Sequence, residues 1–122
     1  MPTPKKILVV EDEKSMAKAL ELKLTKEGFV VEIAVDGEGA LAKLRKEKYQ
    51  LVLLDLVLPK LDGFGVLEAM KKEGIKTPAI VSTNLSQEED EARTRALGAK
   101  DFFVKSDTSI TDVVKHIKQL IG

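Results

Sequence analysis

The chain contains no cysteine, and it has a single histidine and a single tyrosine among its 122 residues. Without cysteine there can be no disulfide framework, no thiolate nucleophile and no cysteine metal site. An excess of one charge is also missing, since 20 lysines and arginines balance 20 aspartates and glutamates. This balance excludes the uniformly basic surface on which non-specific binding of nucleic acid depends.

Long apolar runs are missing as well: no segment reaches the length of a membrane span, and residues 1–4 do not begin a signal peptide. Charged residues make up 33% and hydrophobic residues 43%, so the chain can build a core beneath a densely charged surface. We therefore expect a soluble, cytoplasmic protein with one domain over residues 1–122. Because the last predicted helix ends at the C-terminus, we expect no attached output domain.

Five apolar runs of strand length alternate with segments of helical periodicity. The predicted strands cover residues 5–10, 29–34, 51–54, 79–81 and 100–104. Alternation of this kind predicts an α/β fold in which right-handed crossovers place helices on both faces of a parallel sheet. The third run shows no polar alternation, which predicts a central strand buried on both faces.

Capping signals and apolar spacing place the helices between these strands. Gly28 is expected to end a first helix over residues 13–27, and Asp36 is expected to cap the second. Residues 86–89 and 109–112 each fit a capping box, which predicts that the fourth and fifth helices begin there. Helical spacing predicts these inward-facing side chains: Met16, Ala17, Leu20, Leu24, Ala40, Leu41, Leu44, Val66, Leu67, Met70, Ile110, Val113, Val114, Ile117, Leu120 and Ile121.

Acidic residues directly follow two of the predicted strands. Glu11 and Asp12 follow the first, and Asp55 follows the third. The carboxyl ends of parallel strands meet at the ligand-binding edge of such a sheet. Three carboxylates there repel one another, so we expect a cation among them, and hard oxygen ligands favour Mg²⁺ over zinc. The structural alternative is that Glu11 and Asp12 only cap the first helix.

Phosphoryl chemistry is the use that best fits this edge of the sheet. With a divalent cation to offset the charge of a phosphate, Asp55 is expected to act as the nucleophile and form an aspartyl phosphate. Lys105 closes the fifth run, where its ammonium is expected to pair with Asp55. A hydroxyl closes the fourth run, and strand alternation alone leaves open whether Ser82 or Thr83 points at the site.

Four segments carry a family resemblance, in order and at matching spacing: ILVVEDE at 7–13, DLVLPKLDG at 55–63, PAIVST at 78–83 and GAKDFFVK at 98–105. On these segments the chain resembles the receiver domain of bacterial two-component response regulators, of the stand-alone chemotaxis type, over essentially its whole length. The resemblance implies a flavodoxin-like (βα)5 fold whose five parallel strands have the order 2-1-3-4-5.

The resemblance also implies a role for each site residue. Asp55 accepts a phosphoryl group from a histidine kinase or phosphotransfer protein, and Mg²⁺ is the cofactor. The implied metal ligands are Glu11, Asp12, Asp55 and the backbone carbonyl of Val57. Lys105 binds the phosphate, Thr83 rather than Ser82 is the switch hydroxyl, and Phe102 is the switch aromatic.

The expected output is a change in binding rather than turnover of a substrate. Phosphorylation should alter the face made by the fourth helix, fifth strand and fifth helix, and the fourth helix should move at low cost because it offers little beyond Ala92, Ala96 and Leu97. The partner is an unidentified downstream protein, not nucleic acid or a membrane. The chain is expected to be a monomer or a phosphorylation-dependent homodimer, and to catalyse at most its own phosphorylation and dephosphorylation.

Three positions depart from the family pattern. Ser106 follows Lys105 where the family usually has proline, so we expect a different backbone there. Phe102 replaces the common tyrosine and cannot form a hydroxyl hydrogen bond. Asn84 replaces the common alanine, and its bulkier side chain is expected to alter phosphorylation kinetics.

Other functions fit these residues less well. A haloacid-dehalogenase-type phosphatase needs a second aspartate where this chain has Val57, and the chain is short for such an enzyme. A flavodoxin-type nucleotide site needs a phosphate-binding loop after the first strand, where residues 11–13 are all acidic and would repel phosphate. The serious alternative is a receiver-like interaction module that is never phosphorylated.

Overall fold

The structure is a computed structural model that describes residues 4–122, so residues 1–3 of the predicted domain lie outside it. The described part contains five strands and five helices in strict alternation. In chain order they are β1 (Lys6–Val10), α1 (Lys14–Lys26), β2 (Val30–Ala34), α2 (Gly37–Lys46), β3 (Leu51–Leu54), α3 (Gly63–Glu73), β4 (Ala79–Thr83), α4 (Glu88–Ala96), β5 (Asp101–Val104) and α5 (Ile110–Ile121).

All neighbouring strands are parallel, and their order is β2-β1-β3-β4-β5. This arrangement confirms the predicted flavodoxin-like fold. β3 lies in the middle of the sheet, and its four residues are all buried, as the absence of alternation predicted. Leu54 at its end aligns with Val10 of β1 and with Val81 of β4. The residues that follow β1 and β3 therefore leave the sheet at the same level.

The sheet is covered on both faces by apolar clusters that follow the alternation of the strands. Leu8 and Val10 belong to the cluster with α2 and α3, and Ile7 and Val9 to the cluster with α1 and α5. Each fully buried leucine or valine contributes about 1.5–3 kcal/mol of transfer free energy. The two clusters hold the sheet rigid and so fix the positions of the strand ends.

Helix boundaries follow the predicted capping residues with one exception. Asp36 accepts a hydrogen bond from the Gly39 amide at 2.6 Å, Ser109 accepts one from the Asp112 amide at 3.1 Å, and Gly28 has a φ of 97°. The predicted capping box at residues 86–89 is wrong, because α4 begins after Gln87 without a side-chain cap. Four acidic residues in its first turn, Glu88, Glu89, Asp90 and Glu91, favour that helix end electrostatically instead.

One predicted position also differs in burial. Leu120 was expected to face inward but is 49% exposed, because it lies at the margin of the apolar stripe of α5. α4 buries few apolar side chains: Ala92 and Ala96 are exposed, Leu97 at its C-terminal end is partly buried against the core, and Thr94 is the buried residue of this helix. α4 therefore has little apolar anchorage, as its composition predicted.

A polar cluster joins β2 to the segment before β3. The Tyr49 hydroxyl lies 2.7 Å from Glu32 Oε1 and 2.9 Å from Glu47 Oε2, while Lys6 and Lys43 pair with Glu32 at 3.5 and 3.3 Å. The tyrosine hydrogen bond, helped by the lysines, lowers the pKa of Glu32 to about 2. Burial, followed by the two carboxylates, raises the pKa of Tyr49.

The depressed pKa of Glu32 makes part of the fold stability sensitive to acid. A glutamate whose pKa is lower in the folded than in the unfolded chain stabilises the fold above its unfolded pKa of about 4.3, and that contribution is lost as the pH falls toward the folded pKa. Both the wild type and Glu32→Gln should lose unfolding free energy between pH 6 and pH 3. We expect the loss in Glu32→Gln to be smaller by about 1 kcal/mol, since the partial exposure of Glu32 weakens its interactions. Urea titrations at both pH values measure this difference.

The matched control for this prediction is Glu38→Gln, which changes an exposed glutamate in the first turn of α2. Its acid sensitivity should follow that of the wild type. Identical pH dependence in Glu32→Gln and the wild type would contradict the prediction.

Candidate functional site

The carboxyl ends of β1 and β3 hold their acidic side chains firmly. The Asp55 amide donates to the Val10 carbonyl at 3.1 Å, and the Glu11 amide donates to the Ala34 carbonyl at 3.0 Å. These bonds extend the ladder of the sheet one residue past each strand. Both residues are buried, with Glu11 3% and Asp55 6% exposed.

Three carboxylates converge at this edge of the sheet. One oxygen each from Glu11, Asp12 and Asp55 lies within 4.8 Å of the other two. Glu11 and Asp55 form the buried floor of the cluster, and Asp12 is exposed at its rim. Because the donors are all hard carboxylate oxygens and the site opens to solvent through Asp12, the group fits Mg²⁺ with several retained waters.

Lys105 reaches this cluster from the far side of β4. Its Nζ donates to Asp55 Oδ2 at 2.8 Å and also to Glu11 Oε1. Its backbone amide donates to the Thr83 carbonyl at 2.7 Å, which fixes the start of the chain beyond β5. Lys105 thus contacts both buried carboxylates although Ser106 follows it in the chain.

Burial and hydrogen bonds shift the pKa values of this cluster in opposite directions. Burial raises the pKa of Glu11, and the hydrogen bonds from Lys105 and from the Glu13 amide oppose that effect. Burial acts to lower the pKa of Lys105, but the hydrogen bonds that it donates to Asp55 and Glu11 outweigh burial, so the pKa is raised. We take the ammonium to be charged, because two carboxylates contact it directly.

The two hydroxyls at the end of β4 lie on opposite faces of the sheet. Val81 of β4 is aligned with Phe102 of β5, and both side chains pack toward α2 and α3. Thr83, two residues after Val81, points to the same face of the sheet. Ser82 is aligned with Phe103, which packs toward α1 and α5. Thr83 and Phe102 therefore share a face. The Thr83 hydroxyl is fully buried and accepts a hydrogen bond from the Leu85 amide at 3.3 Å.

Val57 contributes to the site through its backbone. Its amide donates to Asp55 Oδ1 at 3.2 Å, while its side chain is 57% exposed. Each oxygen of the Asp55 carboxylate thus has its own donor, the Val57 amide on one and Lys105 on the other. The carboxylate is fixed in orientation before any ligand binds.

Helix capping does not account for this acidic cluster. α1 begins after Glu13, whose side chain makes no capping bond, and Glu11 Oε2 accepts the Glu13 amide at 3.2 Å. That bond explains one oxygen of Glu11 only. It leaves the approach of Asp12 and Asp55 without a structural purpose.

Comparison with known proteins identifies the family. A family model described as the response regulator receiver domain matches residues 7–118. The transcriptional regulatory protein DltR of Streptococcus agalactiae is 42% identical over 100 residues, which cover 82% of this chain and 45% of that protein. The alkaline phosphatase synthesis transcriptional regulatory protein PhoP of Bacillus subtilis is 41% identical over 101 residues, covering 83% and 42%. The chain belongs to the response regulator receiver domain family.

Solved structures agree with this assignment. The receiver domain of the Francisella response regulator 1452 superposes with a TM-score of 0.90 at 28% identity, covering 96% of each chain. A response regulator receiver domain protein from Methanospirillum hungatei gives 0.90 at 28% identity, covering 98% of this chain and 94% of that one. The chain spans less than half the length of the curated relatives named above. In the part described, no helix is both long and apolar enough to cross a membrane.

Removing one charge from the carboxylate cluster should stabilise the fold but weaken the binding of Mg²⁺. Asp12→Asn removes one of three mutually repelling charges, so without metal the unfolding free energy should rise slightly. The same change removes a hard anionic ligand, so the dissociation constant for Mg²⁺ should rise about tenfold or more. Urea titration in chelator and calorimetric Mg²⁺ titration measure the two effects.

Glu13→Gln is the control, since it neutralises an adjacent exposed acid that lies outside the cluster. It should leave Mg²⁺ affinity close to that of the wild type. Equal losses in both variants would show that only the general negative field matters, and an unchanged affinity in Asp12→Asn would remove Asp12 from the metal site.

Proposed function

We propose that this chain is a Mg²⁺-dependent phosphoacceptor switch in which Asp55 receives a phosphoryl group from the phosphohistidine of a kinase or phosphotransfer protein. The observation that carries the proposal is the convergence of three carboxylates and one ammonium at one edge of the sheet, with Asp55 held by donors on both oxygens. Family membership supports it. The cytoplasmic location expected from the sequence stays a prediction.

The proposed transfer uses groups that already surround Asp55. A lone pair of one carboxylate oxygen forms the new O–P bond, and the P–N bond breaks with its electrons returning to the donor imidazole. Mg²⁺, when held by Glu11, Asp12, Asp55 and the Val57 carbonyl, supplies charge neutralisation at the phosphoryl oxygens. Lys105 gives up its bond to Asp55 Oδ2 and donates to a phosphoryl oxygen instead.

The proposed switch starts from hydrogen bonds that the unphosphorylated chain makes. The Thr83 hydroxyl, which accepts the Leu85 amide, is available to donate its own proton to a phosphoryl oxygen and so pull the β4–α4 segment toward the site. Phe102 shares a face with Thr83 and would follow that movement. The face formed by α4, β5 and α5 would then change its affinity for a downstream protein or for a second copy of the chain.

Several contacts that hold α4 are polar and exposed, which suits such a movement. Arg93 lies 3.1 Å from Glu68 and 4.1 Å from the ring centroid of Phe64, both on α3. Lys71 of α3 donates to the carbonyl of Ala96 at 3.2 Å. Contacts of this kind are exposed and individually weak, so α4 can be repositioned at modest cost.

The nucleophile assignment is tested by labelling. Asp55→Asn should abolish the mass increase that acetyl phosphate and Mg²⁺ give in the wild type, because an amide cannot form the acyl phosphate. Asp112→Asn, an exposed acid in the first turn of α5, should label like the wild type. Intact-protein mass spectrometry measures both.

Two outcomes of that experiment would contradict the proposal. Full labelling of Asp55→Asn would show that a residue other than Asp55 is phosphorylated. A wild type that neither labels nor changes its NMR spectrum with Mg²⁺ and beryllofluoride would support the alternative of an interaction module that is never phosphorylated.

The side chains flanking the site predict a long-lived phosphoryl group. Val57 and Leu85 are apolar and offer no group to orient an attacking water. We expect slow loss of phosphate from the wild type, and a rate about tenfold or more faster in Val57→Asn, which supplies a polar side chain beside the phosphorus. Phosphate release after rapid removal of acetyl phosphate measures the rate.

Val35→Asn is the control, since Val35 is similarly exposed at 54% but is not one of the two residues that flank the site. It should leave the rate unchanged. A wild-type half-life of only seconds, or equal rates in Val57→Asn and the wild type, would contradict the role given to these side chains.

A further inference from the structure

The loop between β3 and α3, residues 55–62, carries both Asp55 and the Val57 carbonyl, and it has a constrained backbone. Lys60 has a φ of 68°, which is uncommon for a residue with a side chain, and the Leu61 amide donates to the Pro59 carbonyl at 2.7 Å. This pairing across Lys60 is the pattern of the strained form of the γ-turn. Such a backbone persists only where neighbouring structure holds it.

At its far end the loop is pressed against the start of α3. The Gly63 amide donates to the Leu56 carbonyl at 2.9 Å. A Cβ atom at Gly63 would overlap the carbonyl oxygen of Asp55 and would lie 2.7 Å from Leu56 Cα. The loop therefore has no free space on the α3 side.

On its other side the loop rests on the first residue of α2. Gly37 is buried, and a Cβ atom there would overlap the carbonyl oxygen of Leu61 and would lie 2.7 Å from its carbonyl carbon and 2.8 Å from its Cβ. The Gly37 amide points at the Pro59 carbonyl at 3.4 Å, and Asp36 pairs with Lys60 at 3.7 Å. Two neighbouring residues of the α2 N-terminus thus contact three consecutive residues of the loop, 59–61.

We propose that Gly37 is a positioning residue for the metal site: its missing side chain lets the loop lie on α2 and so sets the position of the Val57 carbonyl and of Asp55. This inference rests on the proposed Mg²⁺-dependent function. A side chain at position 37 must displace the backbone at Leu61, not a flexible side chain. Because Gly63 blocks the α3 side, the displacement is passed back along the loop toward Val57.

The test compares alanine substitutions at two glycines of the same helix. Gly37→Ala should raise the dissociation constant for Mg²⁺ about tenfold, in the range found when groups that support metal ligands are disturbed. Gly39→Ala is the matched control, because its Cβ would meet only the Asp36 side chain, with the nearest atom at 3.2 Å. Its affinity should stay within about twofold of the wild type. Calorimetric titration is run well below the unfolding temperature of each variant.

A measurement on the wild type covers the case in which Gly37→Ala does not fold. Saturating Mg²⁺ should shift the amide NMR resonance of Gly37, which contacts the loop, and leave those of Gly74 and Gly98, which follow the C-terminal ends of α3 and α4, unmoved. A stationary Gly37 resonance alongside shifts in residues 55–57 would overturn the inference, as would equal Mg²⁺ affinity in Gly37→Ala and the wild type. If the wild type itself binds no Mg²⁺, the proposed function fails instead.

Discussion

The rest of the site depends on the Lys105 ammonium that lies between the buried carboxylates of Glu11 and Asp55. Two carboxylates buried side by side without a cation would cost several kcal/mol, because burial penalises each charge and the charges repel. Lys105 offsets that cost while joining the end of β5 to the ends of β1 and β3 across β4. The sheet order makes this possible, since it brings strands distant in sequence to one edge.

The parts of this arrangement that sequence could predict are those encoded locally. Apolar runs ending in Glu11 and Asp55 gave the strands and their functional edge, and uninterrupted burial in β3 followed from its composition. Strand alternation alone left Ser82 and Thr83 open, and the family resemblance indicated Thr83; the register of β4 on β5, which aligns Val81 with Phe102, puts Thr83 on the face of Phe102. The contact between the β3–α3 loop and α2 joins segments over twenty residues apart, and the Asp-Gly pairs at 36–37 and 62–63 were its only local trace.

The proposed switch requires that bonds to the phosphoryl group compete in energy with the contacts that hold α4. An exposed ion pair such as Arg93 with Glu68 contributes about 0–1 kcal/mol, and a cation–π contact at the surface about 0.5–1 kcal/mol. Hydrogen bonds to a charged group contribute about 1.5–3 kcal/mol each. Lys105 exchanges its bond to Asp55 for one to the phosphoryl group, so the net new bond is that of Thr83, and its energy is similar to that of the exposed contacts that hold α4. If α4 were anchored by buried leucines, at about 1.5–3 kcal/mol each, those contacts would outweigh the new bond.

In the proposed function, Lys105 and a metal ion would compete for the same two carboxylates, and this competition would link the resting and phosphorylated states. With Lys105 on Asp55 Oδ2, the negative charge of the site is partly offset and the carboxylate is oriented. A cation that takes over this role frees the ammonium, and a phosphoryl group on Asp55 then gives it a new anionic partner nearby. In the proposed switch, the residue that stabilises the unphosphorylated site would thus also be the one that binds the phosphate. A side chain of fixed charge but shorter reach could do the first task and not the second, which is why the long, flexible lysine stem suits this position.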